Sequence, residues 1–261
     1  MKSIIAVSLL AGLALASPMM DRAKQQLQAR NAARRSNRFR ASKDGGFGNV
    51  TATTVESSNW SGAAIVTSGV TEVSGTFTVP QPSAPSGGSS RSEYCGAAWV
   101  GIDGYSNSAL IQTGVLWCVE GSSYEYEAWY EYLPAALIAY SGFSVTAGNS
   151  VTVAVTKTST TGGTTTISAN GKSASHTFSG QSTRLQGASA EWIVEDFESG
   201  GSLVPFADFG TVTFTGATAI INGATVSASA DSPVNIELES SSGAILTSTS
   251  ISGSTVTVNY Q

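Results

Sequence analysis

Beyond residue 53, no stretch of this chain carries the 3.6-residue period of a surface helix. Short apolar runs recur instead, each closed by Gly, Pro, Ser or Asn. Runs at 63–66, 75–79, 97–102, 109–117, 150–158, 164–169, 173–178, 191–197, 210–214, 219–221, 234–238 and 255–260 read as strands. Segment 124–132 alternates: Tyr124, Tyr126, Ala128, Tyr130 and Tyr132 face one way, and Glu125, Glu127, Trp129 and Glu131 the other. Asn170-Gly171 is a two-residue hairpin signal. Many short strands at close spacing predict an all-β domain, an antiparallel β-sandwich or a barrel. Only 12 % of the residues are charged, and such charge-poor chains rich in Ser, Thr and Gly fit extracellular β proteins.

The first residues read as an export signal. Lys2 supplies the positive start, residues 4–15 the apolar run, and Ala14-Leu15-Ala16 the small-residue cleavage pattern. That run is too short for a permanent membrane helix, so secretion with no membrane partner is expected after a cut behind Ala16. The net charge of −5 hides two opposed segments. From Ser17 to Asp44 eight basic residues stand against two acids, net +6; from Gly45 onward four basic residues stand against sixteen acids, net −12. A basic arm behind an export signal is badly placed for nucleic acid. It reads as a propeptide, residues 17–53, that neutralises and inhibits an acidic, monomeric domain at 54–261. Residues 25–40 are rich in helix formers. Acidification toward pH ~4 protonates carboxylates and weakens the attraction, freeing the arm for cutting near Arg34-Arg35 or within 44–49.

Cys95 and Cys118 are the two cysteines, and an exported pair reads as one disulfide. A catalytic thiol would want a nearby imidazole, and His176, the one histidine, lies in a Ser/Thr-rich run behind the hairpin. One histidine cannot build a zinc site of the HExxH kind, and GxSxG and paired Asp-Thr/Ser-Gly motifs are absent. Carboxylates, amides and aromatic residues remain. Glu191 and Glu195, four apart on one strand, lie ~13 Å from each other, too far for a retaining glycosidase pair.

Five strings carry a resemblance: Ser58-Asn59-Trp60-Ser61-Gly62, Ala98-Trp99-Val100-Gly101-Ile102-Asp103-Gly104, Leu110-Ile111-Gln112-Thr113-Gly114, Ala128-Trp129-Tyr130-Glu131, and Ala190-Glu191-Trp192-Ile193-Val194-Glu195-Asp196-Phe197-Glu198. In this order they resemble the eqolisins, the glutamic peptidases of filamentous fungi, over roughly Val55 to Tyr260. The resemblance implies a sandwich of two long antiparallel sheets with a substrate cleft across one face. It also implies acid endopeptidase activity on protein and peptide substrates without metal or cofactor. It implies Gln112 and Glu195 as the catalytic pair, and Trp60, Asp103, Trp129, Glu131 and Glu198 as residues of the cleft. Leu116 departs from the family pattern, which often has Asp two residues before the position of Cys118.

Peptide hydrolysis needs an activated water and a donor for the oxyanion. A glutamate can take the water's proton and return it to the leaving nitrogen, and a glutamine amide can donate to the oxyanion and hold the water. Two rival readings use the same residues: a lectin-like sandwich binding sugar through Trp60 and Trp129, and an inverting glycosidase. Asn49-Val50-Thr51 and Asn59-Trp60-Ser61 match the N-glycosylation pattern, but Asn59 adjoins a cleft residue and is expected to stay bare.

Overall fold

The computed structural model describes residues 40–41, 53–135, 137–196, 198–199, 202–203 and 205–261. The expected signal peptide, residues 25–39 of the helical stretch expected at 25–40, most of the propeptide and Asn49 lie outside the described residues; Arg40, the last residue of that stretch, is in a strand instead. In chain order the strands are β1 (Arg40–Ala41), β2 (Thr53–Ser57), β3 (Trp60–Val66), β4 (Val70–Thr78), β5 (Glu93–Ile102), β6 (Ile111–Glu120), β7 (Ser123–Tyr132), β8 (Ile138–Ala139), β9 (Ser150–Ser159) and β10 (Gly162–Ala169). There follow β11 (Lys172–Phe178), β12 (Ser189–Glu195), β13 (Glu198–Ser199), β14 (Ser202–Leu203), β15 (Thr211–Ile221), β16 (Ala224–Ser227), β17 (Val234–Leu238), β18 (Thr247–Ser252) and β19 (Thr255–Tyr260).

They form two large open sheets, so the sandwich is realised and the barrel is not. The first has the order β1-β2-β17-β3-β12-β5-β6-β7-β8, and the second β11-β10-β9-β4-β15-β19-β18, with β16 beside β15. Pairing is antiparallel except between β17 and β2, which run parallel. The runs expected at 210–214 and 219–221 are the single strand β15, whose register shifts between Thr215 and Thr218 around Gly216 at φ 58°. Asn170 and Gly171 both take positive φ, as a tight hairpin between β10 and β11 requires.

The two sheets differ in how they treat their faces. In β9 and β4 buried and open positions alternate, as in a sheet with one wet face. Its outer side is joined by hydroxyl pairs: Thr76 with Thr152 (2.7 Å), Thr164 with Thr177 (3.1 Å), and Thr213 with Thr257 (3.3 Å). Strands β5 and β6 are buried along nearly their whole length on both faces. One face, with Ala98, Val100, Val115, Trp117, Trp192 and Val194, packs between the sheets. The other gathers Trp60, Cys95, Ala97, Trp99, Leu116, Trp129 and Ile193 into a second apolar cluster. Cys95 and Cys118 are register partners in β5 and β6 and are joined by a disulfide.

Parallel pairing of β17 with β2 sets Glu237 beside Glu56. Burial lifts the Glu237 carboxyl above its ordinary value; a backbone N–H of Thr249 opposes this and the Glu56 charge adds to it. A raised carboxyl favours the folded state when protonated, and that contribution disappears as pH rises through the folded-state value. Glu237→Gln is therefore expected to raise stability at pH 7 and leave it nearly unchanged at pH ~3, read by urea denaturation at both pH values.

Candidate active site

Strand register lays out the outward face of the first sheet in rows. Gln112 faces Gly101 and Glu131 across its two neighbours, and Gly101 faces Glu191. In the next row Trp99 faces Gly114 and Ile193, and Gly114 faces Trp129. In the third, Glu195 faces Trp60 and Ala97, Ala97 faces Leu116, and Leu116 faces Glu127. These positions alternate with those packed between the sheets, so all three rows share the face turned from the second sheet. Gly114 lets β6 approach β5 closely: a Cβ there would overlap the Ala98 carbonyl oxygen and press on the Cα and Cβ of Trp99.

Glu195 ends β12 at zero exposure. Trp60 Nε1 donates to its Oε1 at 2.8 Å, and Trp99 Nε1 donates to its Oε2 at 3.0 Å. The two indoles meet edge to face at 5.0 Å. The local sequence sets this clasp. Ser57 Oγ accepts from the Trp60 backbone N–H, turning the chain into β3. The Asp196 N–H donates to the Asn59 carbonyl and ties the end of β12 to that turn. Asn59 is 2 % exposed, which closes it to a glycan.

Gln112, 1 % exposed, donates through Nε2 to Glu131 Oε2, while its Oε1 has no hydrogen-bond partner among the described residues. The same holds for Trp129 Nε1, although the Trp129 ring is buried. Asp103 has another role. Its carboxylate accepts from the backbone N–H groups of Gln186 (2.7 Å), Gly187 (3.0 Å) and Ala188 (2.8 Å) and from Asn107 Nδ2 (3.0 Å). It thereby fixes the segment leading into β12. Tyr132 donates its hydroxyl to the Thr183 carbonyl at 2.9 Å, and burial raises that hydroxyl above its ordinary value, so it remains a donor throughout the acid range.

The structure thus joins Gln112 to Glu131 and Glu195 to Trp60, with Trp129 on the same face. Glu198 begins β13 opposite Leu203, and its side chain lies outside the described residues. Gln112 and Glu195 share the face without bonding each other. Their backbones are four residues and two strands apart, ~13 Å along and ~10 Å across in a flat sheet. One residue escaped the sequence reading of the site. Trp99 bonds the carboxylate, and its alternation with Ala97 along β5 was the signal. Glu191, fully buried, lies in the row of Gln112. His176 is half-buried and stacks on Tyr130 at 4.2 Å. Ligand atoms of Glu93, Cys95 and Cys118 converge, but both sulfurs are spent in the disulfide.

The model of the peptidase A4 family matches residues 58–260. Aspergillopepsin-2 from Aspergillus niger is 42 % identical, with 99 % of this chain and 98 % of the relative covered. Scytalidopepsin B from Scytalidium lignicola is 38 % identical over 89 % of each chain. Among solved structures, scytalido-glutamic peptidase bound to a transition state analog inhibitor superposes with a TM-score of 0.70 at 36 % identity, covering 78 % of this chain and 98 % of the other. Aspergilloglutamic peptidase from Aspergillus niger gives 0.61 at 46 % identity, covering 64 % and 99 %. A shared sheet order alone would show only a fold, but these identities extend over 89–99 % of the chain, and the chain belongs to the peptidase A4 family, the glutamic peptidases.

Proposed function

We propose that this chain is a secreted acid endopeptidase, made as a zymogen, in which Glu195 and Gln112 act on one water. The observation that carries the reading is a fully buried carboxylate clasped by two indole N–H groups, on the same sheet face as an amide whose carbonyl oxygen has no donor. The clasp holds both carboxylate oxygens in place, and a buried acceptor without a donor is ready to take one from water.

In the proposed reaction Glu195 accepts a proton from the water, and the resulting hydroxide attacks the peptide carbonyl carbon. Gln112 Oε1 accepts the water's other hydrogen. One Nε2 hydrogen is committed to Glu131, and the second is free for the oxyanion. Collapse breaks the C–N bond, and Glu195 passes its proton to the leaving nitrogen, giving an acid and an amine. Glu131 positions the amide, and Trp60 and Trp99 position the carboxylate. Trp129 and Glu198 are assigned to the substrate cleft, and Asp103 supports it from behind. Residues 1–16 serve as the export signal and 17–53 as the inhibitory propeptide of a monomeric enzyme.

The lectin-like reading needs an open indole platform, whereas Trp60 and Trp129 are buried and Trp60 is committed to Glu195. Incubation of the mature protein with a denatured protein substrate at pH ~3–4 is expected to yield internal fragments, with little cleavage at pH 7. Sugar binding or glycan hydrolysis without proteolysis would overturn the assignment.

A further inference from the structure

We infer that the propeptide holds the mature domain by strand addition: residues Arg40–Ala41 dock on the outer edge of β2. This rests on the zymogen reading above and names the surface that reading leaves open. The pairing is antiparallel, with Arg40 opposite Glu56 and Ala41 opposite Val55. Without β1, strand β2 would end the first sheet and present an unpaired row of N–H and C=O groups, which is a template for another strand.

Charge favours this occupant. Arg40 belongs to the arm of net +6, and it falls at a register position beside two acids, Glu56 on β2 and Glu237 next to it on β17. Those two carboxylates repel each other, and a cation in the next strand relieves them. Around Glu237 the neighbouring contributors are the Glu56 carboxylate, which adds charge, and the Thr249 N–H from β18, which adds none. Burial holds the Glu237 carboxyl above its ordinary value, so acidification takes charge from this edge early, in the direction that frees a basic arm. The eleven residues 42–52 join β1 to β2 and contain Gly45, Gly46 and Gly48, so a cut there would end the covalent link between the docked strand and the edge it pairs with.

The test follows amide hydrogen exchange of residues 54–57 in the full chain near pH 7. Comparison is made with Arg40→Pro/Ala41→Pro, which removes both leader N–H groups outside the domain core, and with Glu56→Arg. Both variants are expected to speed exchange at β2 by roughly tenfold, the charge reversal only at low salt, with the Tm of the domain unchanged in the double-proline variant. Equal protection of β2 in the double-proline variant would overturn the docking site. If that variant loses protection and stays latent, docking stands and the inhibitory role fails. If protection is unchanged while acid activation proceeds normally, the zymogen stands and this surface is excluded.

Discussion

Glu195→Gln is expected to lower kcat/KM on a peptide substrate by about 10²–10⁴-fold at acid pH, with the fold retained. The substitution keeps volume and removes the proton acceptor. It also turns an amide NH2 toward one of the two indole N–H groups that now reach Oε1 and Oε2, so the clasp loses one bond. Gln112→Ala removes the proposed oxyanion donor and water acceptor together and is expected to cost about 10²–10³-fold, mainly in kcat. If both act on one water, the double variant loses little beyond the worse single variant. Glu191→Gln supplies the discriminating control, because Glu191 lies in the row of Gln112. A loss at Glu191 equal to that at Glu195 would show that the wrong carboxylate had been assigned. Steady-state kinetics with near-ultraviolet circular dichroism as the check on folding decides among these outcomes.

Asp103→Ala is expected to cost roughly 3–4 kcal/mol of stability, because three backbone N–H groups, one in a buried bond and two in partly buried ones, lose their acceptor. Asp103 also takes φ 70°, which Asp and Asn tolerate better than Ala. Asp103→Asn keeps that conformation and one acceptor oxygen, so an intermediate loss is expected. Urea denaturation measures both. Because the 186–188 segment enters β12, activity should fall with stability in the alanine variant, and an alanine variant as stable as the parent would remove Asp103 from the framework assigned to it.

Much of the fold was legible because its strands announce themselves in two ways. Segment 124–132 alternates, and the structure packs Tyr126, Ala128, Tyr130 and Tyr132 toward the inter-sheet core and Trp129 toward the opposite face. Val234–Leu238 and Thr255–Tyr260 fall where their apolar runs place them. Strands β16 and β18 were missed because ATVS and TSTSIS hold almost no apolar contrast and are kept in line by their neighbours rather than by burial. The site was legible only in outline. Short strings marked Gln112, Glu195, Trp60 and Trp129, but no string shows that Trp99 and Trp60 grip one carboxylate from two strands. Nor does spacing show that the Asp103 carboxylate is spent on backbone donors more than eighty residues away. Such pairings depend on register between distant strands, which local pattern does not encode.

The hydroxyl pairs across the second sheet bear on survival in acid. A threonine neither gains nor loses a proton between pH 2 and 8, so the cross-strand bonds of Thr76 with Thr152 and Thr164 with Thr177 are indifferent to the conditions under which carboxylates go neutral. Acid usually expands a protein by leaving its cations unopposed. From Gly45 onward this chain has Arg91, Lys157, Lys172, Arg184 and His176, and therefore at most five positive side chains to repel one another once every acid is protonated. A broad face built from hydroxyls lets the domain stay soluble without the lysines and arginines that would otherwise drive it apart.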